Sequence, residues 1–359
     1  MTVYNFSAGP AMLPEAVMSR IKDDLPDFQR IGASVMEISH RGKAFLQVAE
    51  RAEADLRELL AVPEDYAVLF LQGGATLQFS LLAMNLARQG QVADYLITGN
   101  WGKKAVSEAT GLIDARVVAS AEGGGFRGVP AREHWQCSDQ AAYLHVTPNE
   151  TVVGVEMQQL PEGVEVPIVA DMSSTLLSRP IDVSRYGMIY AGAQKNIGPS
   201  GLALVIVRRD LLGRHGRKLP GMWDYQVHDK HDSMFNTPCT FSWYAAGLVF
   251  DWLKRLGGLT AIAERNHRKA TALYAAIDAS DFYRNEVSVP VRSWMNVAFH
   301  LADDSLSPVF VSEAEQAGLL GLKGHRIVGG LRASLYNAMP EEGVDALIDF
   351  MHDFEARHG

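Results

Sequence analysis

A chain of 359 residues, 47% hydrophobic and 21% charged, carries enough apolar side chain for a sizeable core and is too mixed for a disordered, fibrous or disulfide-stapled protein. Lys and Arg number 33 against 42 Asp and Glu, a net charge of −9. That excludes general nucleic-acid binding, because there is no basic excess to displace counterions, and any bound anion needs a local cationic pocket.

Taken in chain order, Met1–Pro10 shows no basic stretch followed by an apolar run, so no signal peptide is expected. No apolar run approaches the ~20 residues that span a bilayer, which predicts a cytoplasmic chain with no membrane partner. Phe45–Leu60 places Phe45, Val48, Ala49, Ala52, Leu56, Leu59 and Leu60 on one helical face. A strand at Tyr66–Leu71 leads through Gly73-Gly74 into a helix over Thr76–Arg88. Further short strands are expected at Tyr95–Thr98, Val117–Ala119, Ala142–Val146, Pro167–Ala170, Met188–Ala191 and Leu202–Val207. Several are apolar throughout, the habit of strands covered on both faces. Strands alternating with helices predict an α/β layer structure with a mostly parallel sheet. The texture changes near residue 265. A helix at Ala270–Ile277, an alternating segment at Ser293–His300, a unit at Arg326–Tyr336 broken by Gly329-Gly330 and a terminal helix at Pro340–Arg357 predict a smaller α+β domain. The expected division is a large α/β domain over 16–265 and a small one built from 1–15 and 266–359.

Four strand ends carry candidate chemistry. Met188–Ala191 runs into Gly192-Ala193-Gln194-Lys195-Asn196-Ile197-Gly198-Pro199, which puts a lysine at the carboxyl end of a buried strand, where open α/β sheets bind ligands. A desolvated lysine forms a Schiff base with an aldehyde; the plainer alternative is a surface lysine at a strand end. Asp171 follows the strand Pro167–Ala170 and pairs with Lys195 on the same sheet edge; alone it would read as a turn or cap aspartate. Pyridoxal phosphate needs this pair, the lysine for its aldehyde and the carboxylate to keep its ring nitrogen protonated. Gln72-Gly73-Gly74-Ala75-Thr76 is either an anion-binding helix start or a simple turn. Trp101, after Tyr95–Thr98, could stack on a planar ring or pack at the core edge.

These segments, with Asn5–Ala11, Ser39-His40-Arg41-Gly42-Lys43, Phe235-Asn236-Thr237-Pro238 and Gly324-His325-Arg326…Arg332-Ala333-Ser334, together resemble the class V aminotransferases, and within them the bacterial phosphoserine aminotransferases, over essentially the whole chain. The resemblance implies pyridoxal-phosphate fold type I and amino-group transfer between L-glutamate and 3-phosphohydroxypyruvate, giving O-phosphoserine. It also implies a related activity on a phosphorylated hydroxy-oxobutanoate in vitamin B6 synthesis. By the same resemblance Lys195 would link to the cofactor, Asp171 would pair with its ring nitrogen and Gln194 would touch it. Trp101 would stack on the ring, Thr151 would approach the ring oxygen, and Ala75 and Thr76 would hold the phosphate. Asn236 and Thr237 would reach that phosphate from the second subunit of a homodimer. Arg332 would clamp the substrate α-carboxylate, Ala8 would line the substrate site, and His40, Arg41, His325 and Arg326 would hold the distal phosphate. Some family members have arginine where Thr76 stands, which leaves that cationic work to His40, Arg41, His325 and Arg326.

Other signals are set aside. Gly123–Gly128 fits G-x-G-x-x-G, but Val129-Pro130 follows instead of a helix. Tyr190…Lys195 misses the Tyr-x-x-x-Lys spacing by one. His228-Asp229-Lys230-His231-Asp232 reads as an exposed loop, and no metal is expected. The rivals are another class V activity, such as a desulfurase, for which neither Cys137 nor Cys239 has a nucleophile's setting, and a non-catalytic binding protein on the same fold.

Overall fold

A computed structural model describes residues 2–359. The chain begins with β1 (Tyr4–Asn5), α1 (Glu15–Asp24) and α2 (Lys43–Leu60). An α/β section follows: β2 (Tyr66–Gln72), α3 (Gly74–Leu86), β3 (Val92–Ile97), α4 (Asn100–Ala109), β4 (Asp114–Ser120), β5 (Leu144–Val146), β6 (Asn149–Glu150), β7 (Val155–Glu156), β8 (Ile168–Asp171), β9 (Met188–Gly192) and β10 (Leu202–Arg208). Three helices come next, α5 (Tyr225–Lys230), α6 (Thr240–Arg255) and α7 (Gly258–Asp278). The chain ends with β11 (Tyr283–Arg284), β12 (Asn296–Leu301), α8 (Ser307–Gln316), β13 (Leu319–Leu320), β14 (Leu331–Ser334) and α9 (Glu341–His358).

All seven strands expected between residues 66 and 207 enter one sheet, in the order β2-β10-β9-β8-β5-β3-β4. Only β10 runs against its neighbours; the other pairings are parallel. Side chains alternate between two cores, as the pleat requires. Val68, Phe70, Leu204 and Ile206 face Phe45, Leu56, Trp243 and Phe250 of α2 and α6. Ala67, Leu69, Val205 and Val207 face Phe79 and Leu82 of α3 and the helices beside it. Because both faces are covered, the central strands read as unbroken apolar runs. The strand around Val117 departs from that expectation: β4 is the sheet's edge, has one neighbour, and leaves Val117 exposed.

A third core joins Phe6 with residues of α7, β12, β14 and α9. Here β11, β12 and β14 form an antiparallel sheet, while β1 pairs with β13, so the N-terminal segment packs with the C-terminal elements. The helix expected at Ala270–Ile277 is longer. It starts at Gly258 and passes from the first core (Leu259, Ile262) to the third (Ala270, Leu273, Ile277).

Two rejected motifs have different outcomes. Gly123–Gly128 lies in a short 3-10 turn and the bend after it, and no α-helix opens behind it. The His228–Asp232 segment is not the exposed loop expected: Tyr225–Lys230 is a short helix, and His228 is buried, with Nε2 beside the Met222 carbonyl. The apolar side of that helix, Tyr225, packs under the sheet.

Candidate active site

The carboxyl ends of the sheet strands converge on a cavity of about 560 Å³. β8 and β9 are adjacent and parallel, with Asp171 opposite Tyr190, so Asp171 and the turn holding Lys195 leave the sheet side by side. Lys195 is buried and donates from Nζ to Thr151 Oγ1 at 2.6 Å. Desolvation lowers its pKa to about 8, against the pull of Asp171 and Glu150, while the charge of Arg332 adds to the lowering. Asp171 Oδ1 accepts the Ser173 N–H at 3.0 Å and the Ser173 hydroxyl at 2.6 Å. Burial raises the Asp171 pKa, and the Ser173 bonds and Lys195 oppose the rise. Among the described residues none donates to Asp171 Oδ2, which leaves one carboxylate oxygen for a ligand.

The other walls come from neighbouring strand ends. After β2 the chain turns through Gly73 at φ +93° and Gly74 at φ +67°, a backbone that favours glycine. No side chain caps α3, so its first N–H groups, around Ala75 and Thr76, are free to meet an anion. Trp101 lies in the first turn of α4 and lines the cavity, its ring centroid 5.8 Å from Lys195 Nζ. Gln194 also lines it, and its carbonyl accepts the Ala11 N–H, so Gly9 and Pro10 close one side. Ala8 sits next to them, its carbonyl accepting from Tyr336 Oη.

Not every expected residue reaches this cavity within one chain. Asn236 and Thr237 lie at the end of β2, where Gln72 Nε2 donates to Asn236 Oδ1 (3.1 Å) and the Thr237 carbonyl (2.9 Å). Arg332 stands on β14, close enough for its charge to act on Lys195, with its Nε buried and unpaired among the described residues. His325 and Arg326 lie in the turn before β14; burial, then the charges of Arg332 and Arg326, lower the His325 pKa. His40 and Arg41 sit in the tight turn that starts α2. No hydrogen bond joins these two pairs among the described residues.

Several residues escaped the sequence reading. Asn149 donates to Ser174 Oγ and Asn296 Oδ1, Ser173 orients Asp171, and Glu150 holds the start of α4. Lys104 comes to 3.5 Å from Thr76 Oγ1, placing a cation beside the position where some relatives have arginine. A second cavity of about 490 Å³ lies between α1, α2 and α6. Its charged side chains are tied to one another, Arg20 to Asp24 and both Arg51 and Arg255 to Asp251.

Comparison with known proteins agrees with this geometry. The family model "Aminotransferase class-V" matches residues 3–347. A phosphoserine aminotransferase of Stenotrophomonas maltophilia (strain K279a) is 55% identical over 357 residues, covering 99% of each chain. One from Laribacter hongkongensis (strain HLHK9) is 57% identical and covers 100% of each. Among solved structures, phosphoserine aminotransferase from Bacillus circulans subsp. alkalophilus superposes with a TM-score of 0.97 at 46% identity, over 99% of each chain. The PLP-bound enzyme from Trichomonas vaginalis gives 0.92 at 41% identity, over 98% of this chain and 99% of that one. A lysine and an aspartate side by side at the carboxyl edge of this sheet, in a chain matched almost from end to end, are those of a member of the class-V aminotransferase family.

Proposed function

We propose that this chain reversibly transfers the amino group between L-glutamate and 3-phosphohydroxypyruvate, giving O-phospho-L-serine and 2-oxoglutarate, with pyridoxal 5′-phosphate as cofactor. The observation that carries the reading is the buried Lys195–Asp171 pair facing a cavity beside an uncapped, glycine-started helix. The residues present fit that cofactor. Trp101 Nε1, Thr147 Oγ1 and Asn149 Oδ1 are buried around the cavity without partners among the described residues, as donors and acceptors awaiting a polar ligand would be. Ala75 and Thr76 would hold its phosphate, Asp171 its ring nitrogen, Thr151 and Gln194 its polar edge, and Trp101 its face.

When bound, the cofactor supplies an electron sink for negative charge developing at the substrate α-carbon. Lys195 Nζ holds the proton removed from that carbon, and the Thr151 hydroxyl aims the amine. Asp171, ionised against a cationic ring nitrogen, sustains the sink. Arg332 binds the α-carboxylate by its planar fork, next to Ala8, and His40, Arg41, His325 and Arg326 bind the distal phosphate. The same two ends occur in 3-hydroxy-2-oxo-4-phosphooxybutanoate, so we extend the proposal to its amination to 4-phosphohydroxy-L-threonine.

The site is proposed to be completed in a cytoplasmic homodimer. Leu77, beside Gly73, and Phe235, next to Asn236 in sequence, are exposed apolar side chains suited to a second copy. The division into a large domain over 16–265 and a small one over 1–15 and 266–359 is part of the proposal, supported by Phe6 packing in the C-terminal core. Purified protein loaded with pyridoxal phosphate should lose its visible absorbance band on adding glutamate and regain it on adding 3-phosphohydroxypyruvate. Lys195→Ala should abolish the cycle, with turnover down by at least the ~10²–10⁴ of general acid–base catalysis. A spectrum indifferent to glutamate would leave a non-catalytic binding protein or another class V activity.

A further inference from the structure

Glu150 lies in β6, fully buried, between the cavity residues Asn149 and Thr151. Its carboxylate reaches the first turn of α4. Oε2 accepts the Trp101 N–H at 2.9 Å and Oε1 accepts the Gly102 N–H at 2.8 Å. These N–H groups belong to the turn that has no intrahelical acceptors, and Gly99, at the N-cap, has no side chain to offer. A carboxylate there also meets the positive end of the helix dipole. The turn is shaped around this group: a Cβ on Gly99 would stand 2.5 Å from both Glu150 Cγ and Cδ. The Gly99 backbone is extended, so glycine is required there for space and not for its dihedral freedom.

We propose that Glu150 is a positioning residue that ties the first turn of α4 to β6 and thereby sets the Trp101 ring opposite Lys195. Adjacent residues of one segment then fix facing walls of the cavity: Glu150 holds the indole side and Thr151 holds the lysine, with the ring centroid and Nζ 5.8 Å apart. The purpose of that spacing rests on the amino-transfer reading above; the tie itself does not. An amide in place of the carboxylate would keep one acceptor and turn an NH₂ group toward the other N–H. Protonation would do the same. Burial pushes the Glu150 pKa up to about 7, with the Gly102 and Trp101 N–H bonds lowering it, Asp171 of β8 raising it and Lys195 lowering it. Acidification below about pH 7 should therefore loosen this turn.

Hydrogen–deuterium exchange of the holoenzyme, resolved to the amides of Trp101 and Gly102, tests the tie. In Glu150→Gln these two amides should exchange about tenfold faster or more, as expected for losing a hydrogen bond to a charged group, while β8 and β9 keep wild-type protection. In the wild type, protection at the same amides, corrected for intrinsic exchange, should fall between pH 8 and 6, and this step should vanish in the variant. The kcat of Glu150→Gln should fall more than KM for glutamate rises, and Glu150→Asp, which keeps both acceptors, should recover part of the loss. Unchanged protection in the variant, or acceleration spread evenly over the chain, would overturn the proposal. If Glu150→Gln does not fold, Gly99→Ala, whose Cβ would stand 2.5 Å from Glu150 Cγ and Cδ, is measured instead: faster exchange at the same two amides is expected, and unchanged protection overturns the proposal. Turnover of phosphoserine by the wild type is measured in parallel; its absence would sink the amino-transfer reading and leave the exchange result standing.

Discussion

Lys195 must be desolvated to be reactive and solvated to stay charged, and the fold settles the conflict by burial. With its pKa lowered to about 8, roughly one amine in ten is neutral at pH 7, against fewer than ~1 in 1,000 for an ordinary lysine. Only the neutral amine attacks an aldehyde, so raising the pH supplies the reactive form. The rate at which cofactor-free protein takes up pyridoxal phosphate should climb between about pH 7 and 9 and then level, followed by stopped-flow absorbance; a flat profile would remove the lysine from that step. In the proposed reading the arginines divide the substrate. Arg332→Ala should lower kcat/KM by about tenfold or more for every amino acid, whereas Arg326→Ala should do so for phosphoserine and spare alanine. Equal losses for both substrates at Arg326 would mean that it supports the fold. Lys195 and Asp171 were legible because each follows an apolar strand, so local sequence alone places it at the sheet edge. Glu150, Asn149 and Ser173 were not. Glu150 acts on a turn 48 residues away in sequence, and Asn149 on Asn296, 147 away; Ser173 acts only two residues back, but nothing local marks it.

The same contrast holds for whole elements. The sheet strands were readable because both faces are covered and the apolar runs are unbroken; β4 misled because an edge strand keeps the composition but not the burial. α7 shows the opposite failure. Its stretch Glu264-Arg265-Asn266-His267-Arg268-Lys269 reads as a solvated run, which places the expected helix start at Ala270. Two of these polar side chains are in fact buried and paired. Asn266 donates to the Ser178 carbonyl and to Asn337 Oδ1, and Asn337 in turn donates to the Leu177 carbonyl and, through its N–H, to Asn196 beside Lys195. Lys269 Nζ donates to the carbonyls of Leu335, Tyr336 and Met339 at 2.6–2.9 Å. It therefore caps the loop that follows β14, the strand bearing Arg332. Lys269→Met keeps the apolar stem but strands three buried acceptors, so it should cost roughly 3 kcal/mol. A urea titration would show this as a lower midpoint at an unchanged slope. A midpoint equal to the wild type would mean that water satisfies those carbonyls.

At the scale of the molecule, the sheet gathers a cofactor cavity at its carboxyl edge, yet one chain leaves part of the expected constellation outside it. Asn236 and Thr237 are held against Gln72, next to the glycine turn and outside the residues lining the cavity, with the exposed Phe235 beside Asn236 in the chain. This arrangement fits a pair of residues offered to a neighbouring copy's phosphate site, and it yields a genetic test independent of any distance. Asn236→Asp preserves the shape and the oxygen that accepts from Gln72, but adds a negative charge where a phosphate is to be held, so its homodimer should bind pyridoxal phosphate poorly. Lys195→Ala should be inactive for a different reason. In a heterodimer of the two, purified with distinct affinity tags, one site combines the intact Lys195 of the Asn236→Asp chain with the intact Asn236 of the Lys195→Ala chain. If the sites are shared, that heterodimer should recover about half of the wild-type activity, one good site of two. If each chain serves only itself, the site with the intact lysine keeps its own damaged Asn236, and activity cannot exceed half that of the Asn236→Asp homodimer. The two outcomes differ by the full defect of the Asn236→Asp enzyme, so a single activity measurement on the tagged heterodimer separates a shared site from a self-contained one.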